Sequence, residues 1–248
     1  DLPGSPFAYW VNPNVVAKYN SYPTLEGAAG TVRTGLQTGD DFRFVRCWWE
    51  TLASDMGFQR TDTVGGNACW MTFAKGGPFS PFYSELDLVG KWCNDGLEMK
   101  GFRDDEENQR SVIRNEGFYF RPGLSWAYRT HRFAPYILPS GALISVRGSG
   151  IYFEEFSPFL GLALGVSSVA DFFIKLSMGR GGHPQFDMGD VKLIPWPFRK
   201  GADYSELEQL AERGYNVKRN LATHDECSRQ FRLPSLADSQ RTHSLQAS

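Results

Sequence analysis

Residues 142–178, ALISVRGSGIYFEEFSPFLGLALGVSSVADFFIKLSM, decide the fold class. Ala142–Val146 is a short run rich in branched apolar side chains, Gly148-Ser149-Gly150 is a turn, and Ile151–Phe153 resumes the run. From Pro158 the period changes. Leu160, Leu164, Phe172 and Leu176 are spaced for one buried face, which predicts a helix over 158–178. Strands joined by hairpin-length turns and then followed by helices predict an α+β fold.

Upstream, Ser111–Arg114 and Phe118–Arg121 read as further strands, with turns at Pro122-Gly123 and Pro139-Ser140-Gly141. Residues 31–80 also suggest strands joined by Gly-rich turns, so a curved, mainly antiparallel sheet is expected across 31–153. Residues 1–30, with Pro3, Pro6, Pro13 and Pro23, read as irregular, and 85–110 as an acidic loop with room for a short helix. Downstream, Gly179-Arg180-Gly181-Gly182 reads as a loop and 205–221 as a second helix. Ser205-x-x-Glu208 has the form of a capping box. Leu207, Leu210, Gly214, Val217 and Leu221 form one stripe. A helix of this length is marginal alone in water, so the stripe is expected to pack against the preceding helix or another part of a larger protein. Residues 235–248 are polar and read as a frayed tail.

The 248 residues, 41% hydrophobic and 15% aromatic, suffice for one large domain or two small ones at about 150 residues per domain. No apolar run approaches membrane-spanning length, and no signal peptide is visible. Cys47, Cys69, Cys93 and Cys227 are scattered without a C-x-x-C and read as reduced, packed thiols of a cytoplasmic protein. His131, His183, His224 and His243 make no H-E-x-x-H pattern, and there is no G-x-S-x-G elbow.

The net charge is −2, but it is unevenly spread. Residues 85–107 carry a net of −5, whereas residues 110–152 carry +5 through Arg110, Arg114, Arg121, Arg129, Arg132 and Arg147 against Glu116. Attraction to phosphate is local and screened within about 10 Å, so a basic stripe matters more than the sum. Residues 35–50, GLQTGDDFRFVRCWWE, place Arg43 and Arg46 in an aromatic, β-rich run behind a Gly/Asp turn. Read from the residues alone, this is either a turn into a core strand with solvated arginines or a nucleic-acid surface.

Other segments follow in order: Pro3-Gly4-Ser5-Pro6-Phe7-Ala8-Tyr9-Trp10, Lys75-Gly76-Gly77 with Lys91-Trp92, Arg114–Phe120 with Gly123-Leu124-Ser125-Trp126, Asp190–Pro195, and Glu226–Phe231. Together with residues 35–50, this set resembles the C-terminal target-recognition (specificity) region of adenine-N6 DNA methyltransferases of bacteriophage-exclusion (BREX, PglX-type) and fused restriction–modification systems. The resemblance spans roughly residues 3–234. It implies strands at Arg114–Phe120 and Gly123–Trp126, a partner in double-stranded DNA, and a catalytic domain elsewhere in a parent protein of phage defence. It also implies S-adenosylmethionine for that parent. This sequence contains neither the Asn/Asp-Pro-Pro-aromatic loop nor a suitable Gly-rich cofactor loop. It therefore reads as an excised or truncated, non-catalytic specificity portion with no cofactor and no metal of its own. The corresponding division is 1–200 for DNA target recognition, 201–234 for a helical arm and 235–248 for the tail.

Candidate contacts follow from chemistry. Lys75 beside Gly76 and Gly77 suits a phosphate, since glycines expose backbone N–H groups to an oxyanion. Arg43, Arg46, Arg129 and Arg132 suit phosphates or guanine edges. Arg180, His183 and Gln185 lie in a Gly-rich loop, where Gln can pair with adenine. No acid lies between Glu116 and Glu154 to neutralise Arg129 and Arg132 locally. The abundant aromatics leave a carbohydrate-binding or protein-interaction module as the alternative.

Overall fold

The computed structural model describes residues 11–63, 68–178 and 184–232. In chain order the elements are α1 (Pro13–Asn20), α2 (Leu25–Ala28), β1 (Gly30–Arg33), α3 (Asp41–Phe44), β2 (Val45–Cys47), β3 (Met56–Gly57), α4 (Arg60–Thr63), β4 (Trp70–Ala74), β5 (Leu88–Lys91) and α5 (Cys93–Lys100). There follow β6 (Gly123–Trp126), β7 (Pro135–Leu138), β8 (Leu143–Ile144), β9 (Gly150–Phe153), α6 (Pro158–Val166), α7 (Ser168–Met178), α8 (Met188–Lys192) and α9 (Ser205–Ala222).

The fold is α+β, with two sheets where one was expected. One has the order β1-β9-β6-β7 and is antiparallel throughout. Its central β6 is buried at every residue, because helices cover one face and the second sheet's core abuts the other. The second sheet, β2-β5-β4-β3, is antiparallel except where β3 and β8 run parallel to β4. The described residues form two main apolar cores, and the first sheet contributes to both. Phe73, Trp92, Leu143 and Tyr152 belong to one, and Leu124, Trp126, Ile174 and Trp196 to the other.

Several local expectations fail for identifiable reasons. Phe118–Arg121 is not a strand. Asn115 (φ 52°) and Phe120 (φ 65°) are left-handed, and the intervening turn lets the adjacent Tyr119 and Phe120 both enter the core. Strand alternation would send one of them to solvent. Ser111–Arg114 contributes a single bridge, Val112 to Gln37. In residues 42–49 only Val45–Cys47 is strand, because Asp40 caps the α3 turn by accepting from the Arg43 N–H at 3.1 Å. Residues 13–20 are helical rather than irregular, and the acidic segment holds β5 and α5.

The helix expected over 158–178 is two helices bent by 71°. Ser167 is extended, and its hydroxyl accepts from the Ala170 N–H at 3.1 Å, so a new helix begins there. The break resets the helical period. Leu160 and Leu176 stay buried while Phe172 is 49% exposed. No single helix among the described residues is long and apolar enough to cross a membrane. On α9, Ser205 is not the cap. Asp203 accepts from the Ser205 N–H at 2.9 Å, and Tyr204 occupies the capping position. Ala211 and Tyr215 pack α9 toward α6 and Phe159, leaving Leu207, Leu210, Val217 and Leu221 at the surface. The chain then returns to the second sheet, where Arg229 donates to the Thr72 hydroxyl at 3.1 Å.

The four cysteines are not alike. Cys69 and Cys93 form a disulfide, while Cys47 and Cys227 are free. The pairing of Trp70 with Lys91 across β4 and β5 continues as the Trp92 N–H donates to the Cys69 carbonyl at 2.7 Å, which brings the next residue, Cys93, to Cys69 although 24 positions separate them. The reading of four reduced thiols is corrected accordingly.

Candidate nucleic-acid interface

Two clefts are linked through Tyr128, since Arg147 of one and Arg129 of the other both lie over its ring. The first cleft, about 530 Å³, is lined by residues 36–42 together with Phe73, Lys75, Arg110 and the 145–147 segment. The chain builds it through backbone pairing. The Leu36 N–H donates to the Ile144 carbonyl at 2.9 Å, and Gly35 lies so close to that carbonyl that a Cβ could not fit. Beyond β8, the Ser145 hydroxyl accepts from the N–H groups of Arg147 and Gly148 at 3.2 and 2.9 Å. This tight turn leaves Arg147 exposed. Gly148 in turn sits against the Ala74 carbonyl, beneath Lys75.

The neighbouring cleft, about 540 Å³, is lined by Arg129, Thr130, His131, Pro184 and Gln185. Gln185 is brought to Arg129 by a backbone bridge. Flanking bonds hold that register, from the Phe186 N–H to the Tyr128 carbonyl at 2.9 Å and from the Trp126 indole N–H to the Phe186 carbonyl at 2.8 Å. The guanidinium of Arg147 lies 5.5 Å from the Tyr128 ring centre, and that of Arg129 5.8 Å. The Tyr128 hydroxyl donates to Gln185 Oε1 at 3.2 Å. Hydrogen bonding to Asp187, with burial, raises its phenol above the ordinary range. His131 stacks on Phe79 at 4.2 Å, which ties the 129–132 loop to the loop that follows Lys75.

The anticipated contacts therefore divide. Arg129 and Gln185 share a cleft, and Arg129 is exposed. Lys75 reaches the first cleft, but it is ion-paired with Asp41 and only 23% of its side chain is exposed. Burial alone would raise the Asp41 carboxyl, yet hydrogen bonds from Lys75 and Thr38 hold it below its ordinary range. Gly76 and Gly77 have φ of 89° and 152°, conformations that suit glycine. Arg43 is engaged, with Nε donating to Glu98 at 2.9 Å and its guanidinium 4.9 Å from the Phe102 ring. Arg46 donates to the carbonyls of Phe42 and Val45 and lies over Trp70. Arg132 does have a partner, since its Nε is 3.6 Å from Asp171 of α7. No local acid neutralises it, as expected, but the fold supplies a distant one. Arg180 and His183, like the segment Pro3–Trp10 and the tail 235–248, lie outside the described residues.

Arg110, Arg147, Tyr128 and Phe42 belong to this surface and were not singled out from the sequence. The charge imbalance of residues 110–152 already contained Arg110 and Arg147. What it lacked was a way to separate them from Arg121, which stacks over Phe118 and Tyr152. Two acids of the block, Asp95 and Glu98, are spent in internal ion pairs. Asp95 and Glu116 bind Arg60 and Lys100, and Glu98 binds Arg43 and Lys91. Gly148-Ser149-Gly150 leads into β9, not into a helix. Among the described residues no group of three or more His, Cys, Asp or Glu could hold a metal ion.

No family model matches the chain. It is similar to the adenine-specific methyltransferase BrxX of Escherichia coli O9:H4 (strain HS), with 27% identity over 224 residues covering 88% of this chain and 17% of the relative. It is also similar to the adenine-specific methyltransferase PglX of Lacticaseibacillus casei (strain Zhang), with 28% identity over 164 residues covering 64% of this chain and 14% of the relative. The chain is thus related to adenine-specific methyltransferases of this kind, and it spans about a sixth of their length.

Proposed function

We propose that this chain is the sequence-reading part of an adenine-N6 DNA methyltransferase of a phage-defence or restriction–modification system, and that it performs no methyl transfer itself. The observation that carries this reading is the convergence of Arg129, Arg147 and Gln185, from separate stretches of chain, around Tyr128, with Arg110 in the cleft that Arg147 also lines. Exposed arginines beside clefts suit phosphates and guanine edges, and a glutamine amide suits adenine N6/N7. Residues 1–200 would carry recognition and 201–234 would form an arm docked on it. A catalytic domain of the longer parent would bind S-adenosylmethionine and take the target adenine out of the stack.

The experiment is fluorescence anisotropy of the chain with random-sequence duplex DNA across a salt series. A phosphate-binding face predicts log K falling linearly with log salt, with a slope of about −0.9 per phosphate contact. Binding that ignores salt, or no binding to duplex at low salt, would refute the reading and favour a carbohydrate or protein ligand.

A further inference from the structure

Phe42 is 93% exposed, more than any other large apolar side chain among the described residues. Its position follows from its neighbour. Phe44 is fully buried against Phe102 at 5.2 Å, and two residues along a helical turn point to nearly opposite sides. Burying Phe44 therefore sends Phe42 outward. The turn that presents it is braced on every side. Asp40 caps it, Thr38 donates to Asp41, Lys75 pairs with Asp41, Glu98 holds Arg43, and Arg46 holds the Phe42 carbonyl. The ring stands at the mouth of the cleft that contains Lys75, Arg110 and Arg147.

Asp40 and Asp41 line the same cleft, but Asp41 is paired with Lys75, which leaves the exposed Arg110 and Arg147 beside a rigidly presented aromatic ring; that combination fits one partner chemistry, stacked bases flanked by phosphates. We infer that Phe42 enters bound duplex DNA as an apolar wedge at a base step, unstacking it while Arg110 and Arg147 hold the backbone. This rests on the DNA-binding reading above. Side chains such as Phe and Leu act in this way in proteins that kink DNA, and the partial unstacking is offset by the added contact. A wedge also supplies specificity without hydrogen bonds, because pyrimidine–purine steps deform most easily.

The test uses the full chain and a duplex that it selects from a random library, with 2-aminopurine replacing adenine at successive positions. The wild type should raise 2-aminopurine fluorescence at one step. Phe42→Ala should abolish that rise and weaken binding about tenfold, as expected for a lost ring–base contact. Its salt slope and melting temperature should not change, since the ring carries no charge and packs on nothing. Phe42→Leu should retain most of the signal. If the wild type binds with a steep salt slope but Phe42→Ala matches it in affinity and fluorescence, the wedge is overturned and the DNA reading stands. If the wild type does not bind duplex at all, both fall.

Discussion

Tyr128 organises the surface because it gathers two cations at one aromatic ring. Arg129 and Arg147 each lie over its ring. We expect Arg129→Ala and Arg147→Ala each to weaken binding to all duplexes and to flatten the salt slope by about one; a loss confined to one base position would instead mark a base-edge contact. Arg132→Ala should do less, because Asp171 already partners that side chain. A second residue-scale prediction concerns stability. Burial alone would raise the Asp95 carboxyl, but hydrogen bonds from Arg60, Lys100 and the Trp92 indole hold it down to about 2, below its ordinary 3.8. Its folded pKa is depressed, so its contribution is present above about pH 4 and lost as pH falls toward 2. Asp95→Asn should therefore lower the urea midpoint at neutral pH, and the gap to wild type should close between pH 4 and pH 2. A gap that persists undiminished at pH 2 would contradict this assignment. The arginine-rich run is visible in the sequence. Its pairings are not, since Arg43 meets Glu98 across 55 positions and only the assembled sheet brings them together.

At the scale of elements, the strands that alternate or run uniformly apolar, such as β9, are legible. The breaks are decided by competing local bonds. Ser167 interrupts a continuous apolar helical pattern because its hydroxyl caps the helix that follows. Tyr119 and Phe120 override strand spacing because both are buried. The junction of β4 with the 145–148 turn couples fold to site. A Cβ on Gly148 would lie 2.3 Å from the Ala74 carbonyl and 2.9 Å from the Lys75 nitrogen, both backbone atoms with little freedom to move. Gly148→Ala should lower the melting temperature by several degrees, in line with an overpacking cost of about 1–3 kcal/mol. It should also weaken DNA binding by shifting Lys75 and Arg147. Unchanged melting and affinity would mean that this junction yields freely.

At the scale of the whole molecule, an acidic net charge coexists with a local cluster of cations because Arg129 and Arg147 gather at Tyr128, apart from the ion pairs of Asp95, Glu98 and Glu116 around α5. The α+β class was readable from the switch of period near Pro158. The division into two sheets was not, because it depends on which strands pair across long separations. The disulfide was equally hidden, since the register of β4 with β5 creates it. Alkylation of the unfolded, unreduced chain should therefore label Cys47 and Cys227 and spare Cys69 and Cys93. Labelling of all four would contradict the pairing.

The central claim, that the face around Tyr128 holds duplex DNA, is tested most directly by photo-cross-linking to bromodeoxyuridine-substituted duplex, followed by mass spectrometry of the joined peptides. Cross-links should fall in the peptides that contain Phe42, Lys75–Phe79, Arg110, Tyr128–Arg132, Arg147 and Gln185. Cross-links confined to α9 and the chain after it, with none on these segments, would contradict the account.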